Sequence, residues 1–189
     1  SYNMWLSIIS RHPIPCRHRV SDHGSQSALR LMSYADLIPV LTWRNTPEIR
    51  NCMFSNDVVT LGAHRAWYER AIEDPTIHLM VMESEGVAVG FMNVTRMDDG
   101  DEAEWSFHTA PGARSGTGFQ MCSLTLDYVF SETKIRRMKA QVLPFNIASM
   151  RLHVRLGFQR HEVERRWIDG HGRYYNIVGY ELPSIEWRT

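Results

Sequence analysis

Between residues 77 and 109 apolar and β-branched positions form short runs of strand length. Ile77 to Met82 and Val87 to Thr95 are two such runs, joined by Glu83-Ser84-Glu85-Gly86, a hairpin-like turn. Asp98-Asp99-Gly100-Asp101 is a second polar turn. In Ala103 to Thr109 the period of two puts Glu104, Ser106 and His108 on one face and Trp105 and Phe107 on the other. Upstream, Ala28 to Met32 is a short strand candidate. Tyr34 to Trp43 has helical spacing, with Asp36 near its start and Pro39 inside it, which predicts a kink or a later start. Pro47 to Arg50 restarts a short helix with proline at its first position. Thr60 caps a helix that runs to Asp74 and ends before Pro75. Downstream, a Gly-rich loop (Pro111 to Gly116) leads into a helix from Thr117 to about Glu132. A strand (Met138 to Val142) and a helix (Ala148 to Leu156) follow, the helix closing on Gly157, a residue suited to a left-handed cap. Phe158 to Val163 and Tyr174 to Leu182 make a last strand pair around Asp169-Gly170-His171-Gly172. This order predicts a mixed α+β domain without internal repeats.

Residues 1–25 differ from the rest: they hold Pro13, Pro15, Gly24, several serines and three of the nine histidines. They read as a flexible extension ahead of a domain over 26–189, or as an element that docks on a partner subunit. A length of 189 residues, 43% hydrophobic and 22% charged, suits one domain. Lys plus Arg and Asp plus Glu are 21 each, so composition gives no case for nucleic acid or an anionic membrane as partner. Cys16, Cys52 and Cys122 are far apart and the histidines show no metal-binding spacing. Free thiols, a cytoplasmic location and no metal are the expectation. No stretch nears the ~18–20 apolar residues of a membrane span, and Met4 to Ile9 is too short for a signal-peptide core.

The chemistry concentrates after Thr109. Gly116-Thr117-Gly118, preceded by Arg114 and Ser115, opens a helix directly from a loop. A helix N-terminus offers unpaired N–H groups and partial positive charge, and glycines let a ligand approach. Together they form a candidate pyrophosphate cradle, although a Gly-x-Gly is also an ordinary tight turn.

Some thirty residues on, Asn146-Ile147-Ala148-Ser149 precedes Leu152-His153 and Leu156-Gly157-Phe158. The two motifs together resemble the GCN5-related N-acetyltransferases (GNAT). The resemblance implies a mixed, mostly antiparallel sheet of about six to seven strands flanked by helices, and acetyl-CoA as co-substrate. It implies that Arg114 to Gly118 hold the pyrophosphate and that the helix carrying Asn146 and Ser149 lies along the pantetheine arm. The family places Gln or Arg where this chain has Ala113, so Arg114 stands one step displaced. In many members a Tyr seven residues after the Asn protonates the leaving thiolate. His153 occupies that place as candidate general acid, and Glu104 is the candidate base. Each also has a plain structural reading, a packing histidine and a solvent-facing strand carboxylate.

Leu41-Thr42-Trp43-Arg44-Asn45, Pro47-Glu48-Ile49-Arg50, Met53-Phe54 and His64 with Trp67 are similar to the acetyltransferases of pseudaminic-acid biosynthesis. Those act on the 4-amino group of a UDP-linked amino sugar. The resemblance implies Arg44 and His64 at the nucleotide end, Met53, Phe54 and Trp67 as walls for the deoxysugar, and His108 in the acceptor pocket. Their structural readings are a helix-end salt bridge and plain core packing. Two other functions stay open, N-terminal peptide acetylation and acetyl-CoA binding without catalysis. A homodimer is also compatible with the chain.

Overall fold

A computed structural model describes residues 19–22, 25–98 and 100–187. Its strands are β1 (Arg19–Asp22), β2 (Ser25–Leu31), β3 (Ile77–Ser84), β4 (Val87–Met97), β5 (Glu102–Thr109), β6 (Arg137–Val142), β7 (Gln159–Ile168) and β8 (Tyr174–Pro183). The helices are α1 (Leu37–Arg44), α2 (Pro47–Arg50), α3 (Leu61–Glu73), α4 (Thr117–Glu132) and α5 (Ile147–Arg155). The strands form one eight-stranded sheet in the order β1-β2-β3-β4-β5-β6-β8-β7. Every neighbouring pair is antiparallel except β5 and β6.

The expected elements are present, with local differences. Pro39 does not break α1, because a 3-10 turn (Tyr34–Asp36) precedes the helix and Pro39 falls in its first turn, where no N–H is needed. Asp36 anchors that entry by accepting from Arg30 at 2.7 and 2.8 Å and from the Ser33 backbone at 2.8 Å. The sheet has one strand more than the upper expectation. The eighth is β1, which lies within the stretch read as an extension and pairs with β2 from Arg19↔Ala28 to Asp22↔Ser25. The reading of residues 1–18 as flexible lies outside the described residues. β7 runs past Val163 to Ile168 because a bulge between Glu162 and Arg166 lets it change register against β8.

Two apolar clusters cover the two faces of the sheet. One packs Met121, Leu124 and Val129 of α4 against Met80, Met92, Trp105, Met138 and Tyr180. The other packs Val40 of α1 and Tyr68 and Ala71 of α3 against Leu79, Val81 and Phe91. A fully buried Leu or Met stabilises by about 1.5–3 kcal/mol, so these layers fix the strands rigidly. Gly90 lets α4 close in: a Cβ there would sit 2.6 Å from the Met121 sulfur.

The parallel junction shapes the site. β5 and β6 are paired only from Glu102↔Arg137 to Glu104↔Lys139. Beyond that β5 continues to Thr109 and β6 to Val142 without pairing to each other. The two strands diverge, and the β5 edge after Glu104 offers backbone groups that no strand on that side uses.

Candidate active site

The opening beside β5 is a cleft of about 520 Å³. Its lining includes Arg114, Ser115, Gly116, Thr117 and Gly118 from the loop before α4, and Asn146 and Ser149 from α5. All seven residues assigned to the co-substrate therefore meet in one place. Gly116 caps α4 in the left-handed region (φ 91°), a conformation that a side chain strains. Thr117 folds back, its Oγ1 donating to the Arg114 carbonyl at 2.6 Å and its N–H at 3.1 Å. The N–H groups of Gly118 and Phe119 lie in the first turn, ahead of the first i to i−4 bond of the helix, from Gln120 to Gly116. That is the donor arrangement a pyrophosphate needs, and it does not depend on the side chain at Ala113. Across the cleft Asn146 caps α5 through its Oδ1, which accepts from the Ser149 N–H at 3.2 Å. An amide-bearing arm lying along β5 would complete the ladder that β6 leaves open.

A second cavity, of about 380 Å³, adjoins the cleft and shares Met53, Phe107 and His108 with it. Arg44, Met53, His64, Trp67 and His108 all line it. Of the residues assigned to the acceptor, only Phe54 does not. Phe54 lines a small cavity of about 90 Å³ that shares Met53, Ser106 and Phe107 with the acceptor cavity, with the Arg165 guanidinium 5.2 Å above its ring and its carbonyl accepting from Trp167 Nε1 at 2.7 Å. These contacts tie the segment that carries Phe54 to β7. Arg44 is occupied on one side: its Nη2 donates to the Ser55 carbonyl at 2.8 Å and its Nη1 to that of Asp57 at 3.4 Å. Burial and the neighbouring Arg50 lower its pKa. His64 stacks on Trp67 with centroids 5.2 Å apart, and burial pulls it below the ordinary imidazole range. His108 packs at 5.4 Å from Phe91 and edge-on to Trp43 at 6.3 Å. Burial first, then Arg44 and His64, push it down to about 4. His64 Nε2 and His108 Nδ1 are enclosed with no hydrogen-bond partner among the described residues.

The two residues expected to do proton chemistry are placed differently from that expectation. His153 is 1% exposed. Its Nδ1 lies 2.8 Å from the Ser149 carbonyl, and its Nε2 accepts from Trp105 Nε1–H at 3.0 Å. This arrangement puts the single proton on Nδ1, donating to Ser149, and leaves Nε2 as an acceptor. Burial, partly opposed by the Ser149 bond, lowers its pKa to about 4. The ring also stacks on Tyr180 at 5.1 Å. A neutral ring with both nitrogens engaged has no proton to give a thiolate near neutral pH, so the geometry describes a packing histidine that borders the small cavity. Glu104 is half-buried, and its carboxylate takes no ion pair or hydrogen bond among the described residues, Lys139 being paired with Glu102. Burial raises its carboxyl, against Arg165 and Lys139. It lines neither the cleft nor the acceptor cavity. Four residues of strand, about 13 Å, separate it from His108.

One site residue had a signal that sequence reading missed. Asn93 lines the acceptor cavity opposite Ser106, and Asn93 is the polar interruption in an apolar strand on the same face as Phe91. Arg165 and Trp167, which contact Phe54, had none, since the bulge between Glu162 and Arg166 interrupts the period of β7. No group of three or more His, Cys, Asp and Glu among the described residues is placed to hold a metal ion. No helix among them is long and apolar enough to cross a membrane.

Diverging parallel strands beside an anion-binding helix end suit a thioester donor with an extended arm and a phosphate tail, the requirement of coenzyme A-dependent acyltransferases. The sequence profile of the acetyltransferase (GNAT) domain family matches residues 27–159, and the chain belongs to that family. It is an N-acetyltransferase with acetyl-CoA as co-substrate. An uncharacterized, SPbeta prophage-derived N-acetyltransferase of Bacillus subtilis (YokL) is 27% identical over 124 residues, 65% of this chain and 70% of that protein. The fold is similar to spermidine N-acetyltransferase from Vibrio cholerae, solved with CoA and spermine, at a TM-score of 0.76 and 21% identity over 85% of this chain and 96% of that one. It is also similar to a ribosomal-protein-alanine N-acetyltransferase from Brucella melitensis, at a TM-score of 0.70 and 21% identity over 82% and 98%.

Proposed function

We propose that this N-acetyltransferase transfers acetyl to the amine of an anionic acceptor, a UDP-linked 4-amino-4,6-dideoxy sugar, in the cytoplasm. The observation that carries the reading is the charge of the acceptor cavity: its lining includes a guanidinium, Arg44, and no carboxylate. Polycations such as spermine need carboxylates at their binding site, and burial next to Arg44 repels them. A sugar nucleotide brings the opposite charge. Met53, Val59 and Trp67 give the apolar wall that a deoxysugar methyl group prefers. A groove of about 780 Å³ in the β7–β8 hairpin, lined by Arg160, Arg165 and Arg166 against one carboxylate, Glu162, has the charge to suit a diphosphate. Arg165 links this groove to the small cavity next to the acceptor cavity, donating to Gln141 Oε1 at 2.8 Å and covering Phe54.

Calorimetric titration of UDP into the CoA-saturated protein tests the reading. Saturable binding is expected, weakened about tenfold or more in Arg165→Ala, the effect of losing one charge-assisted hydrogen bond. Tight spermidine binding with no response to UDP would refute it.

A further inference from the structure

We propose that His108, rather than Glu104 or His153, accepts the proton from the attacking amine. The inference needs only that acetyl moves from a thioester to an amine; which amine is taken does not enter.

Position is the first ground. Acetyl transfer happens where the thioester end of the cleft meets the acceptor cavity. His108 lines both cavities, near the end of β5 and past the point where β6 has left it. Of the three residues shared by the two cavities, Met53 and Phe107 carry no basic group. Glu104 is set back toward Lys139, where the strands are still paired. His153 is turned into the apolar layer with both nitrogens engaged.

Availability is the second ground. His108 is 8% exposed, and no hydrogen bond to either ring nitrogen is present among the described residues. A buried polar ring without partners is costly and is retained where a ligand completes it. Phe91 and Trp43 hold the ring in place without using its nitrogens. Asn93 and Ser106 line the same cavity and offer further polar contacts to the acceptor.

Charge is the third ground. Arg44 and His64 face His108 within the acceptor cavity, and Glu48 lines the cleft side. The same burial and cationic neighbour that keep His108 neutral act on a bound ammonium group. They favour its loss of a proton, so the nucleophile is held as a free amine. A weakly basic imidazole then suffices, because the proton it receives comes from a nitrogen made acidic by bonding to the acetyl carbon. In the step, the amine nitrogen bonds to the acetyl carbon and the carbon–sulfur bond breaks, its electron pair leaving with sulfur. One amine proton passes to the free ring nitrogen of His108. The thiolate takes its proton from water in the open cleft, and His108 returns its own to solvent as product leaves.

Two measurements on the full chain test this. Thiol release from acetyl-CoA with the UDP-4-amino sugar should show kcat reduced about 10²–10⁴-fold in His108→Gln, the usual contribution of a general base. The KM for acetyl-CoA should stay within about twofold, as expected when only a transition-state contact is lost. Glu104→Gln should leave kcat within about threefold, a change of under one kcal/mol in barrier. A His108→Gln enzyme close to wild-type kcat, or a Glu104→Gln enzyme carrying the large loss, overturns the proposal. The second measurement needs neither turnover nor the proposed sugar. In 15N-histidine NMR spectra of the CoA-bound wild type, benzylamine serves as the probe amine. A saturable shift of the signal missing from His108→Gln supports the proposal. A shift of His153 with His108 unmoved, or no histidine shift at saturating benzylamine, overturns it. Failure of the UDP sugar with a response to benzylamine rejects the acceptor reading alone.

Discussion

Replacing His153 with alanine is expected to lower the unfolding free energy by about 3–5 kcal/mol, the range for emptying a buried aromatic site. The ring is packed among Trp105, Phe158 and Tyr180, with centroids 5.0–5.8 Å away. Its removal also strands the Trp105 indole N–H, now bonded at 3.0 Å, and an unsatisfied buried donor adds about 1–3 kcal/mol. His153→Gln keeps an acceptor and should lose clearly less. Folded His153→Ala should retain kcat within about tenfold, because its proton is not used. Urea denaturation of the three proteins, followed by turnover below their transitions, reads both quantities. An alanine variant as stable as wild type but crippled in kcat would return His153 to the role of acid.

A second large effect is expected on acidification. His108 and His153 each sit near 4 in the fold against 6.5 for a free imidazole. Both are neutral in the native state, so the unfolded chain binds more protons between these limits. Their stabilisation is complete above about pH 6.5 and is lost as pH falls through about 4. Each contributes up to about 3 kcal/mol over that window, and the order of the loss for both is several kcal/mol. Unfolding free energies at stepped pH should fall steeply from pH 6.5 to 4 in the wild type. The slope should shrink in His153→Gln and again when His108→Gln is added. A wild-type profile that is flat across this window would contradict the neutral, desolvated state of both rings.

Much of the scaffold is legible in local sequence because the relevant forces are local. Thr60 accepts from the Ala63 N–H and begins α3 as its capping preference predicts. Glu85 and Gly86, both at positive φ, make the β3–β4 turn. Gly157 ends α5 in the left-handed region. The residues of the candidate cradle meet in one cleft for the same reason, since a helix end and its backbone N–H groups are written in a few consecutive residues. The proton chemistry is not. The period of two rightly put Glu104, Ser106 and His108 on one face, yet which of them the cleft reaches depends on where β6 leaves β5. His153 accepts from Trp105, 48 positions away, a contact that no local pattern encodes. β1 and the far half of β7 escaped notice because strand pairing and a bulge, not apolar periodicity, hold them.

The most direct test is free-thiol release from acetyl-CoA in parallel reactions with a UDP-4-amino-4,6-dideoxy sugar, spermidine and a peptide with a free N-terminus. Acetyl transfer to an anion-bearing amine predicts release with the UDP sugar at a kcat/KM at least about 100-fold above the other two, a difference of about 2.7 kcal/mol. Release with spermidine or the peptide and none with the UDP sugar would contradict it.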